Sequence, residues 1–186
     1  MPEINLKELK AKLFSLLEKE ALKRGKFILS SGKESNYYLD GRVITLIPEG
    51  SYLVAAIILE LVKGSRVEAI GGPSLGADPV SGAIACLSHL QKSPVKTFIV
   101  RKDAKAHGTQ QRIEGPSLQK GAQVIIIDDV ATTGKALLEA KDALQEIGVE
   151  AKRAIVIVDR QEGAKENLAK AGLALEAIFT IKDFGL

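Results

Sequence analysis

Apolar residues recur every three or four positions at the start of the chain, at Leu6, Leu9, Leu13, Leu16, Leu17 and Ala21. That spacing draws one stripe along a cylinder and predicts a helix from about Glu3 to Lys23. From residue 49 onward two periods alternate. Helical "EGSYLVAAIILELVKG" precedes strand-like "VEAIGG", and helical "ADPVSGAIACLSHLQ" precedes "VKTFIVR". After a long gap come strand "AQVIIID", helix "GKALLEAKDALQEIG", strand "AKRAIVIVD", helix "EGAKENLAKAG" and strand "LEAIFTI". Strands and helices in that order predict an α/β fold, with an open parallel sheet covered by helices on both faces.

Length adds a bound: 186 residues suit one domain, and 46% hydrophobic residues supply its core. A net charge of +3 is too small for wholesale nucleic-acid wrapping, so no nucleic-acid partner is expected. Charges at Glu3, Lys7, Glu8, Lys10 and Lys12 precede the short apolar "LFSLL", which is unlike a signal peptide. Apolar runs stay below the ~18 residues of a membrane span. A cytoplasmic protein with no membrane partner is expected. The single Cys86 excludes an intrachain disulfide, and its apolar setting predicts a buried structural thiol. His89, in a helical stretch without a partner motif, is expected on the surface.

The chemistry concentrates in "VIIIDDVATTGKAL", residues 124–137. Four apolar residues lead to Asp128 and Asp129 at the carboxyl end of a strand, where open α/β sheets bind ligands. Ala131, Thr132, Thr133, Gly134 and Lys135 then bring small side chains, hydroxyls and free backbone N–H groups to the positive end of a helix. Acceptors for hydroxyls beside donors for a phosphate suit a sugar phosphate. Neither the Walker spacing nor a G-x-G-x-x-G fingerprint occurs. Adjacent residues of a regular strand face opposite ways, so both acids are expected to reach one ligand only if the strand turns there.

This stretch resembles the phosphoribosyl-diphosphate (PRPP) motif of the type I phosphoribosyltransferases. The resemblance implies that fold, with a small N-terminal hood over about residues 1–45 and a core over about 46–186 of a single domain. It also implies that Asp128 and Asp129 take the ribose hydroxyls while residues 131–135 enclose the 5-phosphate.

Three further segments resemble the orotate phosphoribosyltransferases. "FILSSGKESNYYLDGR", Phe27 to Arg42, matches the hood at Ser31, Gly32, Ser35, Tyr38, Asp40 and Arg42, which implies that Tyr38 and Leu39 cover the base; Thr132 is assigned to the orotate site as well. Some members carry Lys where this chain has Ser30. "RKDAKAHGTQQRIEG", Arg101 to Gly115, is basic and has no apolar period, as a lid would. It resembles the mobile catalytic loop, implying that Arg101, Lys102, Lys105 and His107 reach PRPP across a homodimer. Arg160 of "VDRQEGAKENL" matches the residue that contacts orotate, whose carboxylate suits a guanidinium fork. "GGPSLGAD", Gly71 to Asp78, is expected near the diphosphate.

The reaction implied is orotate plus PRPP giving orotidine 5-phosphate and diphosphate, with Lys105, His107, Asp128 and Asp129 as the catalytic set. Mg²⁺ is the implied cofactor, carried by PRPP, since the sequence holds no dedicated protein cage for a metal. Two rivals share the PRPP motif: a transferase for another base, and a PRPP-sensing regulator that binds nucleic acid without catalysis.

Overall fold

The computed structural model of the chain describes residues 5–28, 34–103 and 112–186. Its first helix, α1 (Leu6–Leu16), starts where the Asn5 side chain accepts the Glu8 N–H, a helix N-cap. The predicted helix to Lys23 is corrected. Regular α-helix ends at Leu16, a wider π turn follows over Leu17–Ala21, and strand β1 (Leu22–Ile28) begins. Lys23, Arg24, Gly25 and Lys26 offer no apolar residue to continue the stripe. Lys23 and Arg24 pair instead with Tyr38 and Tyr37 of β2 (Glu34–Leu39), and the antiparallel register shifts across Gly25 and Lys26 before Phe27 meets Ser35. A short helix α2 (Arg42–Thr45) leads to α3 (Pro48–Leu61).

The remaining strands are β3 (Ala69–Pro73), β4 (Lys96–Val100), β5 (Ile113–Glu114), β6 (Gln123–Ala131), β7 (Glu150–Asp159) and β8 (Ala174–Thr180). They form one six-stranded sheet in the order β5-β4-β3-β6-β7-β8. Every neighbouring pair is parallel except β4 with β5. That exception lies in the segment expected to lack structure: Ile113 and Glu114 fold back against Val100 and Ile99.

Side-chain alternation along β6 builds both faces of the sheet. Ile125 and Ile127 join a core with Leu13 of α1, Leu17 of the π turn, Leu53 and Ile57 of α3, and Ile84 of α4 (Ala77–Leu90). Val124 and Ile126 face the other way, against Leu137 and Leu144 of α5 (Lys135–Glu146) and Leu168 of α6 (Ala164–Lys170). Each such side chain contributes about 1.5–3 kcal/mol on burial. The expected helices on both faces are therefore present.

The expectation for Cys86 is overturned: its thiol is exposed. The buried stripe of α4 runs through Ala77, Val80, Ser81, Ile84 and Ser88, and Cys86 falls between its turns. Helical phase outweighed residue type. His89 is exposed, as expected.

Candidate active site

Beyond the carboxyl ends of β3, β6 and β7 lies a crevice of about 510 Å³. Its floor is the pair Asp128 and Asp129. Strand β6 does not turn at these residues; it stays paired with β7 through Ala131. The alternation persists, and the side chains nevertheless converge. Oδ1 of Asp128 accepts the Asp129 N–H at 2.9 Å, and Oδ1 of Asp129 accepts the Val130 N–H at 2.8 Å. Each carboxylate folds over the next peptide. Both Oδ1 atoms thereby lie within 2.5 Å of the point where a Cβ on Gly76 would stand. Gly41 of the hood backs Asp129 as closely: a Cβ there would lie 2.8 Å from the Asp129 Cβ. Two glycines thus shape this carboxylate pair, which the sequence reading missed. The signal available was their place in "LDGR" and "GGPSLGAD".

The carboxyl of Asp128 is pushed well above the usual carboxylate range, first by burial and then by the charge of Asp129. Asp129 is also raised, chiefly by burial, although the backbone N–H and the Arg42 charge oppose the shift. Burial, with little positive charge nearby, makes both carboxyls hold protons more tightly than exposed aspartates do. Asp78 adds more negative potential: it accepts the Ser74 hydroxyl at 2.7 Å, while among the described residues its buried Oδ1 has no hydrogen-bond partner.

On one side the crevice meets the start of α5. Gly134, at φ +81°, allows the left-handed turn into that helix; a Cβ there would also lie 3.0 Å from the Leu168 side chain. Asn167 of α6 holds the turn by donating to the Thr133 carbonyl at 3.0 Å. The resulting hollow, about 210 Å³, is lined by Asp128, Ala131, Thr132, Thr133, Gly134 and Lys135 among others. It joins free N–H groups of a helix start to hydroxyls, the environment an anion takes up. Lys135 is largely exposed, 3.7 Å from Glu139.

On the opposite side stands the hood. Tyr38 lines the crevice and lies against Phe27, ring centroids 5.8 Å apart. Leu39 also borders it, although most of its side chain is buried in the core. Arg42 grips Asp40 with its Nε and Nη2, at 3.0 and 3.1 Å, and that contact lowers the Asp40 pKa. Arg160 closes the third side. Only a tenth of its side chain is exposed, and its Nη2 lies 2.9 Å from Glu162.

A basic cleft of about 320 Å³ adjoins the crevice, with Arg101, Lys102, Arg112 and Lys135 in its wall. Arg101 pairs with Glu114 at 3.3 Å, its N–H bonds the Arg112 carbonyl, and the Arg112 Nε returns a bond to the Arg101 carbonyl. Lys105 and His107 lie outside the described residues, as do Ser30, Ser31 and Gly32.

Among the described residues no cluster of three or more His, Cys, Asp or Glu side chains is placed to hold a metal. The carboxylates present still suit Mg²⁺. Hard oxygen donors, short of positive charge and beside an anion hollow, match an ion shared between one or two protein acids and substrate phosphates. Among the described residues no helix is long and apolar enough to cross a membrane.

The phosphoribosyl transferase domain family matches residues 47–186. Orotate phosphoribosyltransferase of Nostoc sp. is 43% identical over 175 residues, covering 94% of this chain and 84% of that protein. Two crystal structures of Mycobacterium tuberculosis orotate phosphoribosyltransferase superimpose over 96% of this chain and 99% of theirs. The complex with Fe(III) dicitrate has a TM-score of 0.84 at 38% identity, and the complex with PRPP has 0.80 at 33%. A family model over residues 47–186 and a 43% identical relative covered over most of its length place this chain in the orotate phosphoribosyltransferase family of type I phosphoribosyltransferases.

Proposed function

We propose that the crevice between hood and sheet transfers the 5-phosphoribosyl group of PRPP to orotate, giving orotidine 5-phosphate and diphosphate for pyrimidine nucleotide synthesis. The observation that carries this reading is the convergence of Asp128 and Asp129 between the α5 start and Arg160. Asp128 and Asp129 accept the two ribose hydroxyls. Residues 131–135 enclose the 5-phosphate, with the N–H groups and hydroxyls of the α5 start as donors. Arg160 takes the orotate carboxylate, Tyr38 and Leu39 cover the base, and Thr132 borders both substrates.

Departure of diphosphate leaves positive charge on the sugar, and the orotate nitrogen attacks from the opposite face. Carboxylates beneath the sugar stabilise that charge, and they do so most where water is excluded. The basic segment of a second copy, with its Arg101, Lys102, Lys105 and His107, neutralises the leaving group. His107 is suited to protonate diphosphate. Mg²⁺, when bound with PRPP, neutralises diphosphate oxygens, and Asp128 or Asp129 would hold it directly or through water.

The active form is a homodimer in the cytoplasm. Val43, Leu46 and Leu75 are exposed apolar side chains beside Asp40 and Arg42, and Leu75, Asp40 and Arg42 also line the crevice. A second copy covering this patch would stand at the crevice mouth, where its basic segment can enter. No membrane or nucleic acid takes part.

Loss of orotate absorbance on mixing with PRPP and Mg²⁺, run beside purine bases, tests the reaction. Consumption of a purine instead of orotate overturns it. Mixed dimers of Lys105→Ala and Asp129→Ala subunits test the shared site: each parent is inactive, and subunit exchange restores one intact crevice. No recovery after verified exchange refutes the contribution across the dimer.

A further inference from the structure

Arg160 is held from two sides before any substrate arrives. Its Nε donates to the Tyr37 hydroxyl at 3.0 Å, and its guanidinium carbon lies 4.8 Å from the centre of the same ring. Nη2 pairs with Glu162 at 2.9 Å. At the main chain, the Arg160 N–H bonds the Ala131 carbonyl at 2.9 Å, tying the end of β7 to the end of β6. Among the described residues Nη1 has no hydrogen-bond partner. The guanidinium is therefore fixed through Nε and Nη2 and leaves Nη1 for a ligand.

Tyr37 is itself well anchored. The Ser35 hydroxyl accepts its N–H at 3.3 Å and donates to its carbonyl at 2.7 Å, and its ring packs on the core beneath the hood. Strand alternation turns it away from the path of Tyr38, which lines the crevice. Tyr37 is not among the described residues that line the crevice, whereas Arg160, which it bonds, is.

We propose that Tyr37 is a positioning residue: its hydroxyl fixes the Arg160 fork so that Nη1 faces the carboxylate of the base. This rests on the orotate reading above. Arginine is among the side chains that lose most freedom on ordering, so a partner that orders it in advance raises affinity for the group it meets. Glu162 sharpens the need. A guanidinium released from Tyr37 can turn fully onto that carboxylate, which then competes with the substrate's own.

Tyr37→Phe keeps the ring and removes only the hydroxyl. Its expected effect is an increase in orotate KM of about fivefold, the size of one lost hydrogen bond. kcat, the KM for PRPP and the melting temperature stay unchanged. Added to Arg160→Lys, which lacks the fork, Tyr37→Phe should raise orotate KM no further. A purely structural Tyr37 would instead shift the melting temperature and both KM values. An unchanged orotate KM in Tyr37→Phe overturns the proposal, and so does an equal loss on the Arg160→Lys background. Absence of orotate turnover by the unaltered chain would overturn the functional reading first, an outcome distinct from turnover that ignores the hydroxyl.

Discussion

Two charge clusters lie along the central strands, and they are built on opposite plans. Near the start of β7, Arg153 meets Glu176 of β8 through Nε at 2.9 Å and through Nη2, and Nη2 also donates to the Leu61 carbonyl at 3.2 Å. Positive and negative charge balance there. At the carboxyl end of β6, Asp128 and Asp129 stand side by side with little to neutralise them, and both hold protons more tightly than ordinary aspartates. The balanced pair joins α3 to the sheet, whereas the unbalanced pair costs stability until a ligand brings hydroxyls and cations. Charge left uncompensated in a crevice marks a candidate binding site, whereas charge compensated at the other end of the sheet marks structure.

The largest expected break in this contrast is Asp128→Asn. The amide keeps an acceptor for the Asp129 N–H but removes the charge beneath the sugar, so kcat/KM should fall about 10²- to 10³-fold. The same variant should melt at a higher temperature without ligand, since the repulsion is gone. Steady-state kinetics and a thermal scan read both effects.

Next comes Gly76→Ala. Gly76 has ordinary helical dihedrals, so alanine adds no backbone strain, yet its methyl would stand 2.1 Å from Asp128 Oδ1 and 2.5 Å from Asp129 Oδ1. The carboxylates must move apart, and displacement on that scale costs about 10²-fold in kcat/KM. Retained activity would show that their convergence is dispensable.

A smaller effect, in stability alone, is expected from Arg153→Met. About a third of each side chain in the balanced pair is exposed, so screening limits the loss to about 1 kcal/mol. That corresponds to a melting temperature about 2–4 °C lower, with kcat/KM unchanged.

The smallest effect is in pH dependence. A folded pKa raised above its unfolded value means that the native state binds more protons between the two, so stability falls as pH rises through that window. Melting temperatures between about pH 4 and pH 8 should therefore drop more steeply for the unaltered chain than for Asp128→Asn, and PRPP with Mg²⁺ should flatten the difference.

Much of the site was legible because its chemistry is written in adjacent residues. Asp128 and Asp129 followed by Thr132, Thr133 and Gly134 announce an acid pair and a helix start in one stretch, and alternation placed them at a strand end. What stayed illegible depends on distant neighbours. Nothing in "GGPSLGAD" says that Gly76 faces two carboxylates across the crevice, and nothing in "NYYL" says that the first tyrosine holds an arginine 123 positions away. The end of the first helix was misjudged because Lys23 satisfies helical propensity, while its pairing with Tyr38 was invisible. The two strand residues Ile113 and Glu114 were too few to make a period.

The crossed bonds between Arg101 and Arg112 pin both roots of the basic segment at one spot on the sheet edge. Only residues 102–111 lie between those roots, and the length of an extended chain closed at both ends limits its reach to about 20 Å from them. The pins therefore act as a tether of known length. A sugar phosphate served by this segment must lie inside that radius, whichever copy of the chain holds it.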